Sequence, residues 1–127
     1  MDRPTTSVRV LLCDDAHDYI ALLTTWLEDV DDIECVGSAG SGRELLDRLG
    51  ALRPDVVVLD HLLNDDLGDS AALVPLVRER APETRIVLHS GLPQEALSRV
   101  CVDVEADAAV PKATQPGDLI AAIRELR

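Results

Sequence analysis

The chain has 127 residues, 46% of them hydrophobic but only 2% aromatic, and a formal net charge of −12. One domain is expected, able to bury roughly two thirds of the surface its unfolded form exposes, with a core of Val, Leu, Ile and Ala rather than rings. The negative field repels phosphates, which argues against direct binding to nucleic acid or to an anionic membrane and favours a cation or a basic partner.

Three cysteines, Cys13, Cys35 and Cys101, are an odd number without CxxC spacing, each in or beside an apolar segment. They read as reduced residues of a cytoplasmic protein, not as a disulfide framework or zinc site. The leader MDRPTT is short and polar, and no apolar run approaches the ~18 residues of a spanning helix.

Taken in order, VRVLLC (8–13) is the first strand candidate. Ile20, Leu23, Leu27 and Val30 then follow at helical spacing, with Trp26 beside them, and predict the first helix. IECVGSA (33–39) is the second strand. Ser41, with Glu44 three residues on, is a capping box for a second helix with the face Leu45, Leu49 and Leu52, closed by Pro54. DVVVLD (55–60) is the third strand, apolar enough to be covered on both faces. Asp69 is placed to cap a third helix carrying Leu73, Leu76 and Val77, although Pro75 would kink it or delay its start. TRIVLHS (84–90) is the fourth strand. Pro93 suits the first position of a short fourth helix with Ala96, Leu97 and Val100. DAAVP (107–111) is the fifth and weakest strand. Pro116 opens the last helix, whose face is Leu119, Ile120, Ile123 and Leu126.

Five strands alternating with five helices imply an α/β fold: a doubly wound, mostly parallel sheet with helices on both faces. No linker or repeat divides residues 1–127, and the core runs from about residue 8 to 126. Such sheets bind ligands outside the carboxyl ends of their strands. The first strand ends in Asp14 and Asp15, the third in Asp60, the fourth in His89 and Ser90, and the fifth in Pro111 and Lys112.

Any one of these residues alone is ordinary. An aspartate at a strand end is commonly a turn or cap residue, and a lysine is commonly solvated. Their coincidence on several strand ends has a chemical reading. Ionised carboxylates crowded together need a cation, and Mg²⁺, which takes oxygen ligands and keeps waters, fits. A lysine and a hydroxyl beside them suit a phosphoryl group, and Asp60 is the natural carboxylate nucleophile.

These pieces, VLLCDD, VVVLDHLLNDDLG, IVLHSG and AVPK, resemble the receiver domain of two-component response regulators, from about Val8 to Leu126. The resemblance implies a (βα)5 flavodoxin-like sandwich with strand order 2-1-3-4-5. It implies Asp60 as phospho-acceptor, charged by a partner histidine kinase or phosphotransfer protein. It implies Mg²⁺ held by Asp15, Asp60 and the backbone carbonyl of Leu62 with Asp14 alongside, and Ser90 and Lys112 as the phosphoryl-binding and switch pair. Output is expected through the fourth helix, fifth strand and fifth helix, where a second copy or an output partner would dock.

Several positions depart from that pattern. Asn64 stands where proline is usual. Ala109 stands where an aromatic normally relays the signal, and Ala113 and Thr114 follow the lysine. Leu62 and Leu92 occupy the two positions that tune dephosphorylation, and neither orients a water. Asp65 and Asp66 belong to the loop, and His61 reads as an incidental loop residue. A phosphohydrolase would want an acid at Leu62, and a cobalamin-binding domain a DxHxxG loop, so the alternative reading is a phosphorylation-independent pseudo-receiver acting as an interaction module.

Overall fold

A computed structural model describes residues 7–63 and 67–126; Asn64, Asp65 and Asp66 lie outside them. Strands β1 (Val8–Cys13), β2 (Ile33–Ala39), β3 (Val56–Leu59), β4 (Arg85–Ser90) and β5 (Ala108–Pro111) alternate with helices α1 (His17–Glu28), α2 (Gly42–Leu52), α3 (Ser70–Arg80), α4 (Gln94–Val104) and α5 (Pro116–Glu125). The sheet is parallel throughout, in the order β2-β1-β3-β4-β5. All five sequence-predicted strands form, the weak fifth included.

Because side chains alternate across a strand, each strand feeds two cores. Leu11, Val57, Leu59, Ile86 and Leu88 face α2, α3 and α4. Val10, Leu12, Val56, Val58 and Val87 face the other way, onto Leu23 and Leu27 of α1 and Leu119 and Ile123 of α5. Each fully buried leucine contributes about 2 kcal/mol of apolar transfer free energy, which explains how a chain with so few rings holds a sheet together.

The helix ends follow their sequence signals with local shifts. The Ser41 hydroxyl accepts the Glu44 amide at 3.2 Å, but the Glu44 carboxylate accepts from Gly40, one residue before the cap, instead of closing the box on Ser41. Gly68 has φ +96°, a left-handed conformation that an L side chain rarely adopts, and leads into Asp69, whose carboxylate caps α3 through the Ala71 amide. Pro75 sits inside α3 without delaying its start. Buried Leu73, Val74 and Val77 anchor the helix on both sides of the proline. Pro93 is the N-cap of α4, not its first helical residue. Val30 lies beyond α1, though it still packs on the same core.

At the amino end of the sheet, acids serve as staples. Asp55 accepts the Arg9 amide at 2.8 Å; Asp107 accepts the Ile86 amide at 2.7 Å and an Arg78 N–H at 3.0 Å. No helix among the described residues is long and apolar enough to cross a membrane.

Candidate functional site

The carboxyl edge carries the chemistry. Asp14, Asp60 and Lys112 each stand one residue past a strand, and each is held by one further ladder bond. The Asp14 amide donates to Ala39 at 3.0 Å, the Asp60 amide to Cys13 at 3.0 Å and the Lys112 amide to Ser90 at 2.8 Å. Strand order places β1 between β2 and β3, so the two aspartates become neighbours although 46 residues separate them in sequence.

Asp14 and Asp60 are buried and Asp15 is exposed, yet one carboxylate oxygen of each lies within 4.8 Å of those of the other two. The Lys112 ammonium reaches Asp14 Oδ2 at 2.6 Å and Asp60 Oδ2 at 3.5 Å. The other Asp14 oxygen accepts the Ala16 amide at 2.9 Å, which fixes the carboxylate at the mouth of α1. Ser90 is buried at the end of β4, in register with Pro111. The edge thus gathers three carboxylates, one ammonium and one hydroxyl, as the strand ends predicted.

Burial pushes the Asp60 carboxyl above the usual carboxylate range; Lys112 opposes this and Asp14 adds to it. Burial also disfavours the Lys112 ammonium, but its bonds to Asp14 and the charge of Asp60 outweigh that and hold its pKa above the ordinary lysine value. Three oxygen donors with one partly compensating cation form a donor set suited to a small hard divalent ion.

Ala109 pairs with Leu88 and packs against the core on the α4 side, where its methyl leaves no ring to move. Leu62 is 59% exposed, whereas Leu92 is half-buried against the core. His61 is not idle: its Nδ1 lies 2.6 Å from the buried Ser70 hydroxyl and its carbonyl accepts the Ser70 amide, which ties the loop after β3 to α3.

Two residues at the site were given no role by the sequence. His89, 3% exposed, points to the opposite side of the sheet from Ser90, and its Nδ1 lies 2.6 Å from the Val110 carbonyl. A carbonyl only accepts, so Nδ1 carries the proton, and burial pushes the ring's pKa down, keeping it neutral. Nε2 is therefore an acceptor, and the Tyr19 hydroxyl, 2.6 Å away, donates to it. The Tyr19 ring stacks on His89 with centroids 5.6 Å apart, and the Lys112 ammonium lies 4.6 Å above the Tyr19 centroid. Alternation along β4 puts His89 on the Val87 face, and Tyr19, Leu23 and Leu27 share a spacing of four; together these were the available signals.

The response regulator receiver domain family model matches residues 10–124. The response regulator protein VraR of Staphylococcus epidermidis is 26% identical over 120 residues, covering 94% of this chain and 56% of its own length; the chain thus spans little more than half of that relative. The response regulator domain of Thermotoga maritima CheB superposes with a TM-score of 0.83 at 25% identity, covering 94% of this chain and 96% of its own. The isolated receiver domain of RcsB from Salmonella enterica serovar Typhimurium, solved with a phosphomimetic, gives 0.81 at 22%, covering 91% and 84%. With the (βα)5 fold, the 2-1-3-4-5 sheet and the acid–lysine edge in place, the chain belongs to the response regulator receiver domains of two-component systems.

Proposed function

We propose that this receiver is a phosphorylated switch, with Asp60 as acceptor. The observation that carries the reading is the Lys112 ammonium set between Asp14 and Asp60, with Asp15 in the same carboxylate cluster. An Asp60 oxygen attacks the phosphorus of a phosphohistidine on a kinase or phosphotransfer protein; the P–N bond breaks, and an acyl phosphate forms on Asp60. Lys112 pairs with the incoming phosphoryl oxygens, and the Ser90 hydroxyl donates to one of them.

Asp15, Asp60 and the Leu62 carbonyl, with Asp14 beside them, would hold Mg²⁺, which when bound neutralises charge that develops on the phosphoryl oxygens. The added charge then biases the loop after β4 and the α4, β5, α5 face, where a second copy or an output partner docks. The domain assists only its own phosphorylation and dephosphorylation, in the cytoplasm.

One observation favours a second reading. Ala109 supplies no ring to the usual relay position, as a phosphorylation-independent pseudo-receiver would allow. Incubation with acetyl phosphate and Mg²⁺ followed by intact-mass measurement separates the two. A single phosphate adduct, absent in Asp60→Asn, supports the switch; no adduct and no Mg²⁺-dependent binding of beryllium fluoride supports the pseudo-receiver.

A further inference from the structure

The chain contains one lysine, one tyrosine and one tryptophan, and the three stand in sequence at one place in the fold. The Lys112 ammonium lies over the Tyr19 ring at 4.6 Å, and the Tyr19 ring meets the Trp26 ring edge-on with centroids 6.5 Å apart. In a protein with 2% aromatic residues, this is where both rings were placed. Leu23 and Leu27, on the same stripe of α1, are aliphatic and buried, whereas Tyr19 is half-buried and carries a hydroxyl.

The polar end of Tyr19 explains the choice. Its hydroxyl has one acceptor, His89 Nε2, and the His89 ring is locked in turn by the Val110 carbonyl, two residues before Lys112 on β5. The ring is thus tethered at its tip by His89, with the two ring planes 29° apart. A fixed electron-rich face beneath an ammonium attracts it without consuming any of its three N–H donors. The donors remain directed at Asp14 and Asp60.

We propose that Tyr19, held by His89, is a positioning residue for Lys112. It keeps the ammonium over the acceptor site through a cation–π contact from the α1 side of the sheet. This support lies on the opposite sheet face from Ala109, so it is no replacement ring for the usual relay; it acts on the lysine itself. The inference rests on reading Lys112 as the phosphoryl-binding residue.

The single lysine makes the test direct. Protein labelled with ¹³C-lysine gives one set of lysine signals, and the Tyr19 ring current shifts the Lys112 ε-protons upfield. In Tyr19→Phe, which keeps the ring but loses its tether to His89, the shift is reduced and the rate of adduct formation from acetyl phosphate with Mg²⁺ falls about two- to threefold. In Tyr19→Leu, the shift is lost and the rate falls about five- to tenfold, with a circular-dichroism melting curve showing that the variant is folded.

Two results overturn the inference while leaving the proposed function intact: lysine signals at the same positions in wild type and Tyr19→Leu, or adduct formation by Tyr19→Leu as fast as by wild type. Failure of the wild type to take up phosphate is a different result. It removes the phosphoryl-binding reading of Lys112, and the positioning role with it.

Discussion

Lys112 stands closer to Asp14, at 2.6 Å, than to the proposed acceptor Asp60, at 3.5 Å. In this structure, then, the ammonium serves chiefly as counter-ion to a buried carboxylate other than the proposed acceptor. A divalent ion entering the cluster competes with it for the same oxygens. Lys112→Met is expected to bind Mg²⁺ about tenfold more tightly, since one positive charge a few ångströms away is removed from a partly buried site. The same variant is expected to form the acyl phosphate far more slowly. Titration calorimetry and intact-mass time courses measure the two effects, and weaker Mg²⁺ binding in Lys112→Met would contradict this assignment of the lysine.

The phosphorylated form is expected to be long-lived. Leu62 is exposed beside the acceptor and Leu92 is turned into the core, so neither offers a polar atom to an attacking water. Leu62→Asn places an amide at the exposed position without disturbing packing. It is expected to shorten the lifetime of the adduct by about an order of magnitude. Mass spectra after removal of phosphodonor give the decay; loss of the wild-type adduct within seconds in Mg²⁺ would refute the idea.

His89 is expected to make the fold acid-sensitive. Its native pKa is lowered by burial from the ordinary 6.5, so below that value the unfolded chain binds a proton that the native chain refuses. The stability associated with His89 is complete above pH 6.5 and is lost as pH falls through the native pKa, with a slope approaching ~1.4 kcal/mol per pH unit. Denaturant titrations at pH 7.5 and 5.5 should show a smaller loss in His89→Leu than in wild type. Parallel pH profiles for the two proteins would count against it.

Asp107 should separate stability from chemistry. Its carboxylate joins β4, β5 and α3 through the Ile86 amide and Arg78, at the sheet edge remote from Asp60. Asp107→Ala leaves a backbone amide and a guanidinium without that acceptor, and a cost of about 2 kcal/mol is expected. Adduct formation at 20 °C should be unchanged. Chemical denaturation and intact mass together test this.

The architecture was legible because the apolar runs are unusually regular. Val56 to Leu59 read as a strand covered on both faces, and the structure buries all four in the central strand. The convergence of Asp14, Asp60 and Lys112 followed from placing strand ends along one edge. What sequence could not supply was side-chain direction. Glu44 closes its bond on the Gly40 amide, where the Ser41 amide was expected. Pro93 caps α4 where the first helical position was expected, since its ψ of 153° is extended. Tyr19 and His89 were hidden for a different reason. Their pairing spans 70 residues and depends on which face of β4 meets α1, a fact created by the sheet.

The additional ladder bonds beyond the strand ends bear on how the site moves. The proposed switch requires a charged group to be added at Asp60 and felt elsewhere, yet Asp14, Asp60 and Lys112 are each tied by their amides to a neighbouring strand. Opening any of those amides to solvent means breaking into the central sheet, so their hydrogen exchange should be among the slowest in the chain. Asp14, Asp60 and Lys112 therefore form a frame tied to the sheet. On the proposed function, motion that follows phosphorylation is carried by what approaches the frame from outside, such as the loop after β4, while the frame itself stays with the sheet.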